Sequence, residues 1–156
     1  MTTETFNRQA AIEIIASFES RAEMLVQILH GFVVRFGWVS EDAIRLLAAE
    51  LNLSRAEVHG VVSYYHDFRT TPPGKHVVRI CQAEACQAMG SRELSTHAEE
   101  TLGVDMHSSN EEVTLEPVYC LGNCACSPAV MIDGKTYGRV SAARFNDIVA
   151  SIGETS

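Results

Sequence analysis

The chain is 156 residues long, with 46% hydrophobic and 21% charged residues, which is typical of a soluble globular protein that buries a core in one domain or two small ones. Its 20 acidic residues outnumber its 12 basic ones and give a formal net charge of -8. This charge argues against a nucleic-acid partner, because phosphates require a basic face on the protein.

The amino-terminal region favours a protein that stays in the cytoplasm and off the membrane. Acidic residues, among them Glu4 and Glu13, occur where an export signal has a basic start followed by an apolar core. The most apolar run, residues 24–34, is interrupted by Gln27 and His30 and is too short to span a bilayer. In a reducing cytoplasm the five cysteines, an odd number, are better explained by metal binding than by a disulfide framework.

The first part of the chain is predicted to form a small helical bundle. Apolar residues recur every three or four positions between residues 6 and 36, which indicates two amphipathic helices with a joint at 19–21. Ser40 is placed to cap a third helix. Ser54 and Glu57 have the spacing of a capping box at the start of a fourth helix, in which each side chain accepts a hydrogen bond from the other residue's backbone N–H.

A linker is predicted at residues 67–74, because Pro72 and Pro73 stop both helices and strand ladders. The expected domains are therefore residues 1–70, the helical bundle, and residues 71–156.

After the linker the residue pattern becomes mixed. The β-branched run before Cys81 indicates a strand, and Asp133-Gly134 accepts the positive φ angles of a two-residue hairpin turn. Pro117 indicates a strand that lies at an edge or is ending. The order of elements resembles a thioredoxin-like domain. The predicted elements are a strand at 76–80, a helix at 91–102 that can start as early as Cys86, a strand at 113–118, hairpin strands at 129–132 and 135–140, and a helix at 141–152.

Two cysteine pairs form the strongest chemical motif in the chain. Four residues separate Cys81 from Cys86, three separate Cys120 from Cys124, and each pair follows a predicted strand. A 2Fe-2S cluster needs four thiolates, two on each iron, and loops of this length place two sulfurs on one iron. Gly122 lets the backbone approach a sulfur or adopt a positive φ angle. We therefore predict one 2Fe-2S cluster, with each cysteine pair on one iron.

Two other uses of the cysteines stay open at this point. A structural zinc on four cysteines is the simpler competitor, although its usual pairs have two intervening residues. A thioredoxin-type dithiol is disfavoured, because the chain contains no Cys-x-x-Cys sequence. The fifth cysteine, Cys126, is expected to be a small buried residue beside the site, and an alternative ligand is the competing interpretation.

The remaining residues carry no convincing catalytic motif. The six histidines lack partners at ligand spacing and are expected to be structural or solvated. Tyr64 and Tyr65 are expected to pack in the core or between domains. Residues 60–63 are not a dinucleotide fingerprint, so the chain alone is expected to hold no flavin and no nicotinamide. The acids between Glu93 and Gly134 occur without any Lys or Arg, which indicates a solvated surface or, alternatively, a field that disfavours negative charge on a nearby cluster.

Three segments carry a family resemblance: Glu57–Tyr65, Pro73–Cys81 and Glu116–Cys124. They resemble the 24-kDa type 2Fe-2S subunit of respiratory NADH dehydrogenase and its relatives. The resemblance implies an α+β fold, with an amino-terminal helical bundle followed by a thioredoxin-like 2Fe-2S ferredoxin domain. It also implies that the four ligand positions of the family are filled, by Cys81, Cys86, Cys120 and Cys124.

Two shorter segments, Ala83–Gln87 and Cys124–Pro128, are similar to the gamma subunit of soluble, molybdenum-containing NAD-dependent formate dehydrogenases. This resemblance implies two partners, an FMN- and NAD-binding beta subunit and an alpha subunit that oxidises formate at a molybdenum cofactor. FMN, NAD and the molybdenum cofactor are then held by the partner subunits, and this chain exchanges electrons with FMN and has no catalytic residues of its own.

Other assignments remain as alternatives. The equivalent subunit of respiratory NADH dehydrogenase or of an NAD-reducing hydrogenase belongs to the same class. A structural zinc module for assembly and a free-standing redox sensor belong to different classes.

Overall fold

The computed structural model describes residues 6–153 of the chain. The chain divides between Pro72 and Pro73 into two compact units. Within its described residues, the first unit contains four α-helices and a short 3-10 turn at Ala22–Met24. The helices are α1 (Arg8–Ser17), α2 (Leu25–Phe36), α3 (Glu41–Glu50) and α4 (Arg55–Tyr64).

The helix ends of the first unit follow the local sequence. Glu19 and Ser20 both adopt positive φ angles, 57° and 51°, so the predicted joint between the first two helices is confirmed. The Ser40 hydroxyl accepts a hydrogen bond from the Ala43 N–H at 3.1 Å and caps α3. Both hydrogen bonds of the predicted capping box between Ser54 and Glu57 are present at the start of α4.

The segment after α4 differs from the prediction in two respects. Phe68, inside the predicted linker, is only 6% exposed and belongs to the helical core, and the neighbouring Arg69 carbonyl accepts a hydrogen bond from the Val39 N–H. The polypeptide therefore stays packed in the first unit beyond residue 67. Core packing of Tyr64 is also wrong, because its side chain is 75% exposed. The Tyr65 ring, by contrast, contacts the Phe68 ring, with 5.4 Å between centroids.

Within its described residues, the second unit is a five-stranded sheet with three helices. The sheet order is β2-β3-β1-β4-β5, in which β1 and β3 are parallel and the other neighbours are antiparallel. One core cluster contains buried residues of β1, β3, β4 and the two longer helices. The elements are β1 (His76–Cys81), α5 (Glu84–Ala88), α6 (Ser91–Leu102), β2 (Ser108–Ser109), β3 (Val113–Val118), β4 (Val130–Ile132), β5 (Lys135–Tyr137) and α7 (Ala142–Gly153).

The α+β prediction for the chain is confirmed, with local corrections. Gly90, with a φ angle of 90°, separates α5 from α6, so one continuous helix from Cys86 is wrong. The second hairpin strand ends at Tyr137 instead of residue 140, because the Arg139 N–H turns away to the Cys126 carbonyl at 2.6 Å. Strand β2 was not predicted. It pairs with β3 only at Thr114 and Leu115. At Pro117, β3 is therefore paired on one side, with β1, and its other side is a local edge, as the proline predicted.

No helix in the described part of the chain, residues 6–153, has both the length and the apolarity needed to cross a bilayer.

The predicted hairpin turn is confirmed and also holds β1. Asp133 and Gly134 have φ angles of 49° and 83°, and the Asp133 carboxylate accepts the Val77 N–H at 2.9 Å and lies 2.7 Å from His76 Nδ1. We expect Asp133→Ala to lower the free energy of unfolding by about 1–3 kcal/mol, because it removes both contacts and places a residue that disfavours positive φ in the turn.

Asp133→Asn is the matched control for this prediction. Asparagine tolerates the positive φ angle and retains an oxygen that accepts the Val77 N–H, so the change is confined to the oxygen that faces His76, which becomes an NH2 group. Urea unfolding followed by circular dichroism should give a smaller loss for Asp133→Asn than for Asp133→Ala. Equal losses in the two variants would contradict the structural role given to the hydrogen bond and the turn.

Candidate metal centre

The sheet topology places both cysteine loops at the same edge. Strands β1 and β3 are parallel, and Cys81 at the end of β1 is paired with Val118 at the end of β3. Cys86 follows in α5, Cys120 lies two residues beyond β3, and Cys124 begins a 3-10 turn at Cys124–Cys126. Parallel strands bring their carboxyl ends to one edge, so the two loops that leave them meet there.

The four predicted site cysteines form a buried pair and an exposed pair. Cys81 and Cys86 are each 1% exposed, and Cys86 is one of the groups that lower the pKa of the Cys81 thiol. Cys120 and Cys124 are both exposed, and their Sγ atoms are 3.7 Å apart. The structure thus places Cys81 near Cys86 and Cys120 near Cys124, in the two pairs that their spacing in the sequence indicates.

The two pairs also contact each other. Burial raises the pKa of the Cys81 thiol, but interactions with the Ala83 N–H, with Cys86 and with the N–H groups of Cys120 and Leu121 outweigh it and lower the pKa. Two of these donors belong to the loop after β3, so the exposed pair's loop reaches the buried pair's sulfur.

The pKa of Cys124, in the exposed pair, shifts in the opposite direction to that of Cys81. The pKa of Cys124 is raised, chiefly by its hydrogen bond and its charge interaction with Cys120, then by partial desolvation and by the charges of Cys86 and Cys81. Each of the other three thiols therefore lies near enough to oppose a further negative charge on Cys124. Four thiolates at such short range need a compensating cation.

The donor set fits a 2Fe-2S cluster better than a single zinc ion. A structural zinc requires four ligands around one ion, whereas a 2Fe-2S cluster takes two thiolates on each of two irons. Two separate thiol pairs, with backbone N–H groups directed at sulfur, match the second requirement.

The loop between Cys120 and Cys124 has unusual backbone angles. Cys120 has a φ angle of 95°, which is rare for a residue with a side chain, and Gly122 has 70°. The Gly122 N–H donates to Cys120 Sγ at 3.4 Å. Both properties predicted for Gly122, a positive φ and close approach to sulfur, are therefore confirmed.

The contacts of two residues at the site, Ser127 and Gly138, were not predicted from the sequence. The Ser127 hydroxyl lies 3.4 Å from Cys86 Sγ, and its hydrogen is donated to the Cys124 carbonyl at 2.8 Å. Gly138 is packed against the loop, since a Cβ there would lie 2.7 Å from Cys126 Cβ. The Ser-Pro and Tyr-Gly dipeptides that contain these residues mark irregular backbone, but they do not show what it contacts.

The fifth cysteine and the acidic stretch between Glu93 and Gly134 have ordinary surroundings. Cys126 is half-buried, and its carbonyl accepts the Arg139 N–H. The negative charge of the acidic stretch is partly neutralised by two basic residues. Lys75, just before β1, pairs with Glu112 at 2.7 Å, and Arg79 in β1 pairs with Glu116 at 3.2 Å. These contacts favour the interpretation of an ordinary polar surface.

A family model for thioredoxin-like 2Fe-2S ferredoxins matches residues 11–153. The chain belongs to this family. The thioredoxin-like 2Fe-2S domain with amino-terminal helices, implied by the resemblance, is confirmed.

Curated relatives of this ferredoxin-family chain are subunits of larger oxidoreductases. It is 28% identical over 130 residues to an NADH-quinone oxidoreductase subunit of Buchnera aphidicola subsp. Baizongia pistaciae, covering 82% of this chain and 76% of the relative. It is 28% identical over 141 residues to the NADP-reducing hydrogenase subunit HndA of Solidesulfovibrio fructosivorans, covering 89% and 82%. Identity to the corresponding NADH-quinone oxidoreductase subunit of Pseudomonas aeruginosa is 34% over 106 residues, covering 67% and 64%.

A solved structure shares the fold. An NAD+-reducing NiFe-hydrogenase in the H2-reduced state aligns with 87% of this chain at a TM-score of 0.74 and 21% identity. This chain spans 23% of that hydrogenase chain.

Proposed function

We propose that this chain is the electron-transfer subunit of an NAD-dependent formate dehydrogenase complex and carries one 2Fe-2S cluster on Cys81, Cys86, Cys120 and Cys124. The observation that supports the cluster in this proposal is the meeting of the two cysteine pairs at the carboxyl ends of β1 and β3. A bound cluster supplies one-electron transfer, and the chain contributes the ligands and their surroundings.

The residues around the cysteines have distinct tasks in this function. The buried pair, Cys81 and Cys86, holds its side of the site away from water. Backbone N–H groups of Ala83 and Leu121 stabilise negative charge on sulfur, which favours both metal binding and the reduced state. The exposed pair lies at the surface, where a redox partner can approach.

The partner proposal follows from exposure around the site and from the relatives. Tyr119 is 72% exposed beside Cys120, and Met89 is 62% exposed three residues beyond Cys86. Large exposed apolar side chains near a redox site suit a docking surface. We assign this surface to the FMN- and NAD-binding beta subunit of the complex, with the molybdenum-containing alpha subunit as the site of formate oxidation.

The formate specificity rests on Ala83–Gln87 and Cys124–Pro128, which are similar to gamma subunits of molybdenum-containing formate dehydrogenases. The second candidate is the equivalent subunit of an NADH-quinone oxidoreductase or of a hydrogenase that reduces NADP or NAD. The relatives, which are subunits of an NADH-quinone oxidoreductase and of an NADP-reducing hydrogenase, favour that candidate.

Purification of the tagged chain from its native host tests these assignments together. We expect a brown complex with iron and acid-labile sulfide in equal amounts on this subunit, FMN and molybdenum on copurifying subunits, and NAD reduction by formate. A complex that reduces NAD(P) with H2, or oxidises NADH with quinone, would assign the chain to the second candidate. A colourless chain with stoichiometric zinc would contradict the cluster in either case.

Glu84 is expected to lower the reduction potential of the centre. It is exposed in α5, between Cys81 and Cys86 in sequence, and its negative charge opposes the addition of an electron nearby. Glu84→Gln should raise the midpoint in redox-titrated EPR by on the order of 10–20 mV, because solvent screens an exposed charge. Glu100→Gln, the same change at an exposed position in α6, is the control. An unchanged midpoint in the Glu84 variant, or an equal shift in both variants, would contradict the local effect.

A further inference from the structure

The hydroxyl group of Ser127 links the two cysteine pairs. Ser127 is 9% exposed, and its Oγ lies 3.4 Å from Cys86 Sγ and 2.8 Å from the Cys124 carbonyl oxygen. Building on the proposed function, we propose that Ser127 is a positioning residue that raises the reduction potential of the centre by donating its hydroxyl hydrogen to the Cys86 sulfur.

The protonation of the ligand decides the direction of this hydrogen bond. With free thiols, the Cys86 S–H donates to Ser127 Oγ, and the Ser127 O–H donates to the Cys124 carbonyl. A metal-bound cysteine is a thiolate and has no S–H, so its sulfur can only accept. In the proposed bond the hydrogen comes from Ser127, whose O–H leaves the Cys124 carbonyl and reaches Cys86 Sγ by rotation about the Cβ–Oγ bond.

A donor at this position favours the reduced state. Reduction adds one electron and increases the negative charge on the ligand sulfurs, so a hydrogen bond to sulfur stabilises the reduced form more than the oxidised form. Burial of Cys86 and Ser127 strengthens the interaction, because little water competes for the sulfur. The electron comes from an external reductant, the hydrogen stays covalently bound to Ser127 Oγ, and no bond is formed or broken.

Ser127 differs in kind from the other groups that donate to the cysteine sulfurs. Cys120 accepts from the Gly122 N–H, and the groups that stabilise negative charge on Cys81 are mainly backbone N–H groups. Among the described residues, Ser127 is the one hydroxyl group in contact with a site sulfur. A backbone donor is fixed by the fold, whereas this donor can be removed by a single substitution.

Ser91 offers a matched control in the same unit. It is a serine with 0% exposure whose Oγ has no hydrogen-bond partner among the described residues. Ser127→Ala and Ser91→Ala therefore each remove one buried hydroxyl group, but only the first removes contacts with the cysteine site, one with Cys86 Sγ and one with the Cys124 carbonyl.

The test uses the full chain, reconstituted with iron and sulfide and titrated with dithionite under EPR. Ser127→Ala should reduce the equilibrium constant for one-electron reduction about threefold to tenfold, a tenfold loss being a midpoint about 59 mV more negative. Ser91→Ala should leave the midpoint unchanged, and Ser127→Thr, which keeps a hydroxyl, should stay close to the wild type. Pulsed ENDOR in H2O and D2O should show one exchangeable proton coupled to the reduced centre that is lost in Ser127→Ala.

Failure of the proposed function and failure of the role of Ser127 give different results in this experiment. A wild-type chain that binds no iron and sulfide contradicts the proposed function itself. Normal cluster content with an unchanged midpoint in Ser127→Ala, or an equal shift in Ser91→Ala, overturns only the role of Ser127. If Ser127→Ala cannot hold the cluster, the proposal requires Ser127→Thr to restore both the cluster and a near-wild-type midpoint, and loss in both variants overturns it.

Discussion

Alanine in place of Cys81, Cys86, Cys120 or Cys124 is expected to reduce bound iron and sulfide to less than about one-tenth of the wild-type amount, because each iron depends on two thiolates and alanine offers no ligand. Iron analysis, visible absorption and EPR of the dithionite-reduced chain measure the loss. This is the largest effect expected from any single substitution on binding of the cluster.

Cys126→Ala is the matched control for the ligand variants. It removes the fifth cysteine, which lies half-buried in the same 3-10 turn as Cys124, and it should retain the full cluster. If Cys124→Ala keeps a cluster, the double variant with Cys126→Ala decides whether Cys126 has replaced the missing ligand. Full cluster content in any of the other three ligand variants, or its loss in Cys126→Ala, would contradict the proposed ligand set.

Local sequence signals predicted much of the backbone around the candidate metal centre, because its strands and turns depend on short-range rules. The β-branched run from His76 ends at Cys81, and the parallel pairing of β1 with β3 then brings the second loop alongside. The capping box at Ser54 and the turn at Asp133-Gly134 likewise depend on neighbours within four residues.

The features that sequence did not predict depend on distant contacts. Strand β2, only two residues long, has no apolar alternation and forms because backbone groups at Ser108 and Ser109 pair with β3. Ser127 contacts a cysteine 41 residues earlier in the chain, a meeting that only the assembled sheet brings about. Phe68 was predicted to lie in the linker at residues 67–74, but its side chain is buried in the helical core.

Gly138 shows most directly how the sheet supports the loop of the candidate metal centre. Gly138 lies within the second predicted hairpin strand, residues 135–140. In the structure this strand ends at Tyr137, and the backbone of Gly138 lies against the loop that carries Cys124. A Cβ at this position would lie 2.7 Å from Cys126 Cβ and 2.9 Å from the Cys126 carbonyl oxygen. The adjacent Arg139 N–H donates to that same carbonyl, so the backbone cannot easily withdraw.

Gly138→Ala is therefore expected to lower the free energy of unfolding by about 1–3 kcal/mol and to weaken cluster retention, because relief of the clash displaces the turn at Cys124–Cys126. Denaturant unfolding by circular dichroism and the rate of iron loss to a chelator measure the two effects. Gly60→Ala is the control: Gly60 is exposed inside α4 with no atom within 4 Å of an added Cβ, so alanine should stabilise the helix by about 0.5–1 kcal/mol. If Gly138→Ala is as stable as the wild type and releases iron at the same rate, the loop has room to move, and the packing of Gly138 is not what holds Cys124 in place.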